Sequence, residues 1–190
     1  MVLFLLGPSK WAHGYSPPTI PVWLHEHLPP RTTTAGGPPT PLEIRQALAT
    51  RLGLDGHVAV IMESHADQAG ESKAAKFSRL VQDEGVTRFA FYWPFGANRA
   101  GMDVEIGFVL ERLRRKEILG EDVRILIEDD GSKRRAGGRE AGTGNSVTFV
   151  SFEQGRRTRY YGDLVVYGAI LPTWSDYGEL LELLENIADE

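Results

Sequence analysis

The sequence predicts an α/β fold built on a parallel sheet, and three observations carry that prediction. Short apolar runs recur along the chain, among them Val2–Leu6, His57–Met62, Arg88–Trp93 and Val123–Ile127. Each is bounded by turn or polar residues, and such runs, continuous in Val2–Leu6, suit strands buried on both faces, as parallel sheets require. The segments between them place apolar residues at helical spacing. Strands and helices in alternation imply right-handed βαβ crossovers and an open sheet with helices on both faces.

Taken in order, Val2-Leu3-Phe4-Leu5-Leu6 is the first strand, stopped by Gly7-Pro8. The stretch from Ser9 to Pro41 is rich in Pro, Thr and Gly and carries Trp11, Trp23, His25 and His27. It far exceeds the ~4–6 residues of an ordinary connection and reads as a long functional loop or lid, 9–41. Pro41 suits a first helical turn, and Leu42, Arg45, Leu48 and Leu52 continue near helical spacing to a stop at Gly53. His57–Met62 is the second strand and runs into Glu63-Ser64-His65-Ala66-Asp67. A helix over Ser72–Glu84 puts Phe77, Leu80 and Val81 on one face, with Gly85 as its stop. Arg88–Trp93 is the third strand, closed by Pro94. The loop Phe95–Ala100 leads into a helix through Lys116 that turns Val104, Phe108 and Val109 inward.

Val123–Ile127 is the fourth strand, and the acidic triplet Glu128-Asp129-Asp130 reads as its solvated end, with a divalent-ion site as the minority alternative. The Gly- and Arg-rich segment 132–145 has no apolar periodicity and is expected to be a flexible loop. Val147–Phe152 is expected as a fifth strand, Leu164–Leu171 as another extended segment, and Ser175–Ala188 as a closing amphipathic helix. The whole, residues 1–190, is expected to be a single α/β domain on a flavodoxin- or Rossmann-like plan with about five strands.

Bulk properties narrow the function. Apolar residues make up 42% of the 190 and charged residues 25%, which is globular composition. With 21 Lys plus Arg against 26 Asp plus Glu, the net charge of −5 offers no bulk attraction to nucleic acid or an anionic membrane. The absence of cysteine excludes thiolate nucleophiles, disulfides and Cys-based zinc sites. No run approaches the roughly 18 apolar residues of a membrane span, and Met1–Leu6 does not make a signal peptide, so a cytoplasmic location is expected. The five histidines show no metal spacing stronger than His25-x-His27, so neither a metal nor a cofactor is expected. Gly7-Pro8-Ser9-Lys10 lacks the remaining residues of a P-loop. The Lys133-Arg134-Arg135 cluster reads as part of a solvated loop.

Open parallel sheets bind ligands at the carboxyl ends of their strands. That points to Gly7–Lys10, Glu63–Asp67, Pro94–Glu105 and Glu128–Asp130. The most distinctive pattern is Pro94-Phe95-Gly96-Ala97-Asn98-Arg99-Ala100-Gly101-Met102-Asp103-Val104-Glu105-Ile106-Gly107-Phe108, a glycine-containing loop entering a helix. Glu105 falls near the helix start, where the dipole stabilises a carboxylate by ~0.3–1 kcal/mol, so an ionised Glu105 is expected. A mid-helix Gly107 costs roughly 1 kcal/mol against Ala, which suggests a close-packing role.

The strand Phe91-Tyr92-Trp93-Pro94, its polar loop and Gly101-Met102-Asp103-Val104-Glu105-Ile106-Gly107-Phe108 together resemble the nucleoside 2-deoxyribosyltransferase-like family. The opening strand with Gly7-Pro8 is similar to the strand bordering that family's base pocket. The resemblance covers both ends of the first half of the chain and, more loosely, the order of elements to about Asp130; it does not reach the last sixty residues. It implies that Glu105 attacks the anomeric carbon, that Gly107 packs closely, and that homodimers or higher homo-oligomers complete the pocket. The family's aspartate just after the proline is replaced here by Phe95, so the expected reaction shifts from full transfer towards hydrolysis of a nucleoside or nucleotide. Related TIR-like domains, which cleave the nicotinamide bond of NAD with a helix-borne glutamate, are an alternative.

N-glycoside cleavage passes through an oxocarbenium-like state, which a carboxylate stabilises or traps as an ester. Glu63, Asp67, Asp103 and Asp129 are candidates for a second acid by their positions. Asp103 also reads as an ordinary solvated first-turn residue. Trp11, Tyr92 and Trp93 are candidates to stack on a base, although neighbouring residues of one strand face opposite ways and only one of the last two is expected to reach a pocket. Gly7, Pro8, Ser9, Lys10, Asn98, Arg99 and Gly101 are candidates to line the ligand, with Lys10 or Arg99 against a 5′-phosphate. The alternatives from other classes are a non-catalytic nucleotide-binding or signalling module and a flavin-type binder on the same fold.

Overall fold

The computed structural model describes residues 1–13, 19–30, 37–94, 96–98, 102–128 and 162–190. A five-stranded parallel sheet has the order β3-β1-β4-β6-β7, built from β1 (Val2–Leu6), β3 (Val58–Val60), β4 (Arg88–Trp93), β6 (Val123–Glu128) and β7 (Thr173–Trp174). The α/β plan expected from the sequence is therefore the one observed. Two further two-residue strands, β2 (Lys10–Trp11) and β5 (Ala97–Asn98), pair antiparallel at the mouth of the sheet. The long stretch 9–41 thus contributes β2 and a four-residue helix α1 (Val22–His25).

The central strands are apolar throughout because both faces are covered. On one face, Phe89, Phe91 and Trp93 of β4 pack with Phe4 and Leu6 of β1 against α3 (Lys73–Asp83) and α4 (Met102–Arg114). On the other, Ala90 and Tyr92 pack with Leu3 and Leu5 against α2 (Pro41–Leu54) and the C-terminal helix. Tyr92 and Trp93 are consequently both core residues, 0% and 2% exposed, which corrects the expectation that one of them faces a pocket. Tyr92 stacks on Trp174, whose indole Nε1 donates to the Leu126 carbonyl at 3.0 Å and ties β7 to β6.

Other expectations are corrected as well. The segment expected as extended, Leu164–Leu171, begins inside helix α5 (Gly162–Val166), and only Ile170 bridges the sheet, opposite Arg124. The burial is one-sided rather than alternating: Leu164 is fully buried while Val165 and Val166 are exposed, so the β-branched pair is a misleading strand signal. The fifth strand is β7, and the expected strand Val147–Phe152 lies outside the described residues, as does the 132–145 loop. The closing helix α6 spans Tyr177–Asp189 and is capped by Asp176, which accepts from Gly178 and Glu179. Glu128 is not a solvated strand end but a buried residue of β6. No helix among the described residues is long and apolar enough to cross a membrane.

Helix α3 forms one wall of a cavity beside the ends of β1 and β3. Ser72 caps this helix, accepting from the Ala75 N–H at 3.2 Å, and buried Phe77, Leu80 and Val81 anchor its inner face. Ser72→Ala is expected to cost about 1 kcal/mol, read as a lowered denaturant midpoint at unchanged slope.

Candidate active site

Glu105 owes its position to the phase of α4. Met102, Ile106, Val109 and Leu113 form the buried stripe of that helix, and Glu105 falls within it at 4% exposure. The same phase turns Val104 outward, 43% exposed, contrary to its expected inward setting. Where β1 ends, Gly7 adopts φ +151° and its backbone N–H donates to Glu105 Oε2 at 3.1 Å.

Arg45 approaches from the opposite face of the sheet. It sits on α2, fully buried, with Nη1 donating to the Leu5 carbonyl at 3.1 Å. Its Nη2 makes an ion pair with Glu63 Oε1 at 2.7 Å and lies 3.5 Å from the Pro8 carbonyl. Glu63 belongs to a 3-10 turn, Met62–Ser64, directly after β3.

Together these elements enclose a cavity of about 470 Å³ with Gly7, Ser9, Glu63 and Glu105 on its walls. Helix α3 and the segment before it add His65, Asp67, Glu71, Lys73 and Lys76. Most charges here are already paired: Lys76 holds Asp67 at 2.7 Å and also donates to the His65 carbonyl, while Arg79 holds Glu71 at 2.7 Å. Lys73 makes no ion pair among the described residues, and it faces Glu105 electrostatically.

The carboxyl groups differ sharply in proton affinity. Burial pushes Glu105 up to about 8; the Glu63 charge adds to this, while Arg45, the Gly7 N–H and Lys73 oppose it. The expectation of an ionised Glu105 is therefore corrected, because a dipole effect of ~0.3–1 kcal/mol is small beside the desolvation of a buried carboxylate. Glu71 goes the other way, held down to about 2 by its hydrogen bonds from Arg79 and from the Gln68 backbone. Glu71 is thus a fixed anion locked to Arg79, which leaves Glu105 as the carboxyl group here whose proton is exchangeable near neutral pH.

Of the sequence candidates, Gly7, Ser9, Glu63, Asp67 and Glu105 meet at the cavity. Pro8 is buried and serves through its carbonyl. Asp103 is half-buried on the first turn of α4 and is absent from the cavity wall. Trp11 donates its Nε1 to the Pro39 carbonyl at 2.7 Å, pinning the 9–41 segment, and Asn98 is an exposed residue opposite Lys10 in the β2–β5 pair. Trp93 lies in the core instead of at the cavity. Gly107 is exposed, and an added Cβ would meet nothing within 4 Å among the described residues, so its expected packing role is not found. Phe95, Arg99, Gly101 and Asp129 lie outside the described residues. Among the described residues, no group of three His, Asp or Glu side chains is arranged to hold a metal ion.

Arg45, Glu71, Lys73 and Lys76 are the charged site residues that motif reading passed over. Arg45 did leave a signal, since it stands in the apolar stripe Leu42, Arg45, Leu48, Leu52, where a cation needs a partner.

No family model, curated protein or solved structure matches this chain. Its function is therefore argued from the two glutamates and the arginine beside them.

Proposed function

We propose that the chain cleaves the N-glycosidic bond of a nucleoside or nucleotide, with Glu105 beneath the anomeric carbon. The observation that carries this reading is the buried Glu105, held by the Gly7 N–H beside the Arg45–Glu63 pair at a cavity where β1 and β3 end. As the C1′–N bond breaks, its electron pair leaves with the base, which takes up a proton from water. Positive charge develops on the sugar ring, and the Glu105 carboxylate stabilises it or forms an ester that water then opens. With a proton affinity near 8, about a tenth of Glu105 is ionised at pH 7. Acting as nucleophile, it gives a kcat/KM that climbs about tenfold per pH unit up to about pH 8. A second subunit completing the pocket belongs to the same proposal, and light scattering on the purified protein tests it.

The test of the reaction is base release, followed by chromatography with mass detection. Wild type and Glu105→Gln are incubated with nucleosides, their 5′-monophosphates and NAD. Free base from the wild type, reduced at least about a thousandfold in the variant, is the expected result. Release of nicotinamide alone would favour the TIR-like alternative. Ligand binding without turnover, unchanged in Glu105→Gln, would favour a non-catalytic module instead. Equal turnover by both proteins would remove Glu105 from the chemistry.

A further inference from the structure

We propose that Arg45 is the positioning residue of this cavity: a single guanidinium that fixes Glu63 by an ion pair and places Glu105 through the backbone of the Leu5–Pro8 segment. The inference rests on the reading of Glu105 as the reactive group and adds how that group is held.

Arg45 is a costly residue where it stands. It is fully buried among the apolar residues of α2, and its Nε has no hydrogen-bond partner among the described residues. Buried ion pairs are weak contributors to stability, and apolar residues of similar volume often replace them without loss. Stability alone therefore gives little reason for a cation at this position. Its contacts supply one. The Nη1 and Nη2 donors brace the Leu5 and Pro8 carbonyls on either side of Gly7, and the same Nη2 holds Glu63. The Arg45 Cδ lies 3.3 Å from where a Gly7 Cβ would stand, so the stem packs under the residue whose N–H reaches Glu105. One side chain thus touches both supports of the site, from the far side of the sheet.

The charges facing Glu105 are Arg45 from α2, Glu63 from the turn after β3, and Lys73 from α3, together with the Gly7 N–H at the end of β1. Lys76 and Asp67, also on the cavity wall, neutralise each other, and Asp103 on α4 itself is not on that wall. Arg45 and Glu63 act on Glu105 with opposite signs. Removing either one therefore moves the Glu105 titration in a direction fixed beforehand, which a purely structural role would not do.

The experiment is a titration of the Glu105 side chain by carbon NMR in protein labelled at the glutamate carboxyl carbon. The Glu105 signal is assigned by its absence in Glu105→Gln. Arg45→Met, which keeps the apolar stem, is expected to raise the Glu105 midpoint by about one pH unit or more. Glu63→Gln is expected to lower it. A thermal melt of each variant establishes that it is folded. A folded Arg45→Met whose Glu105 titrates as in the wild type would overturn the proposal. Should Arg45→Met not fold, Arg45→Gln is titrated in its place, and a folded Arg45→Gln with an unmoved Glu105 midpoint overturns the proposal. The titration needs no substrate, so its failure and silence in the base-release assay are distinguishable results.

Discussion

Between pH 5 and pH 8 the wild-type protein loses stability as the pH rises, and Glu105→Gln removes most of that slope. An unfolded chain releases the Glu105 proton near the ordinary 4.5, while the folded protein keeps it up to about 8. Between those values the folded state binds the extra proton, so raising the pH favours unfolding. The contribution is fully present below 4.5, is lost progressively up to about 8, and stays lost above. At ~1.4 kcal/mol per pH unit, the interval from 4.5 to about 8 is worth on the order of 5 kcal/mol. No other shifted group matches it in this window. Glu71, held down to about 2, titrates at more acid pH, and Glu185, half-buried on α6, is raised by desolvation and the Asp55 charge against the opposing Arg51. Glutamine keeps an oxygen to accept from Gly7 and cannot ionise, which makes the variant the more stable protein at pH 8. Denaturant titrations of both proteins at four pH values measure this directly. Parallel slopes would mean that Glu105 ionises in the folded protein as it does in water. The comparison also protects the base-release assay: a variant at least as stable as the wild type at pH 8 cannot owe its lost activity to unfolding.

The strands that the sequence revealed most accurately are those buried on both faces. Arg88–Trp93 was legible to the residue because covered faces leave an apolar run, Phe89–Trp93, between Arg88 and Pro94. By contrast, β7 is two residues long and exists because Trp174 reaches the Leu126 carbonyl, a long-range contact with no local signature. The pairing of Lys10 with Asn98 escaped for the same reason. At the site, Glu105 stood out by its place near the start of a helix, but its protonation depends on what closes over it. That closure brings together Gly7, Arg45 and Glu63, which are distant from it in sequence. Local charge rules therefore gave the wrong sign for its ionisation, while the apolar stripe of α2 already held the clue in Arg45.

Gly7→Ala is expected to destabilise the fold by about 4 kcal/mol, from ~1–3 kcal/mol of backbone strain and a similar steric cost. Gly7 has φ +151°, a conformation that side-chain-bearing residues rarely adopt. A Cβ there would stand 2.7 Å from the Tyr92 carbonyl oxygen and 3.3 Å from both the Tyr92 Cβ and the Arg45 Cδ. None of these atoms can give way cheaply. Tyr92 is fully buried in β4, between β1 and β6, and its ring is stacked on Trp174. Arg45 is held at Leu5 and Glu63. Gly53→Ala is the matched control: it lies near the end of α2 without a positive φ, and a Cβ there meets nothing within 4 Å among the described residues. Alanine at that position should stabilise by up to about 1 kcal/mol. Denaturant midpoints of the two variants then separate the loss of glycine from the place where it is lost. Equal stability of Gly7→Ala and wild type would mean that the end of β1 can shift away from Tyr92. In that case the N–H holding Glu105 would be a loose contact, and the proposed site would lose the rigidity on which its chemistry depends.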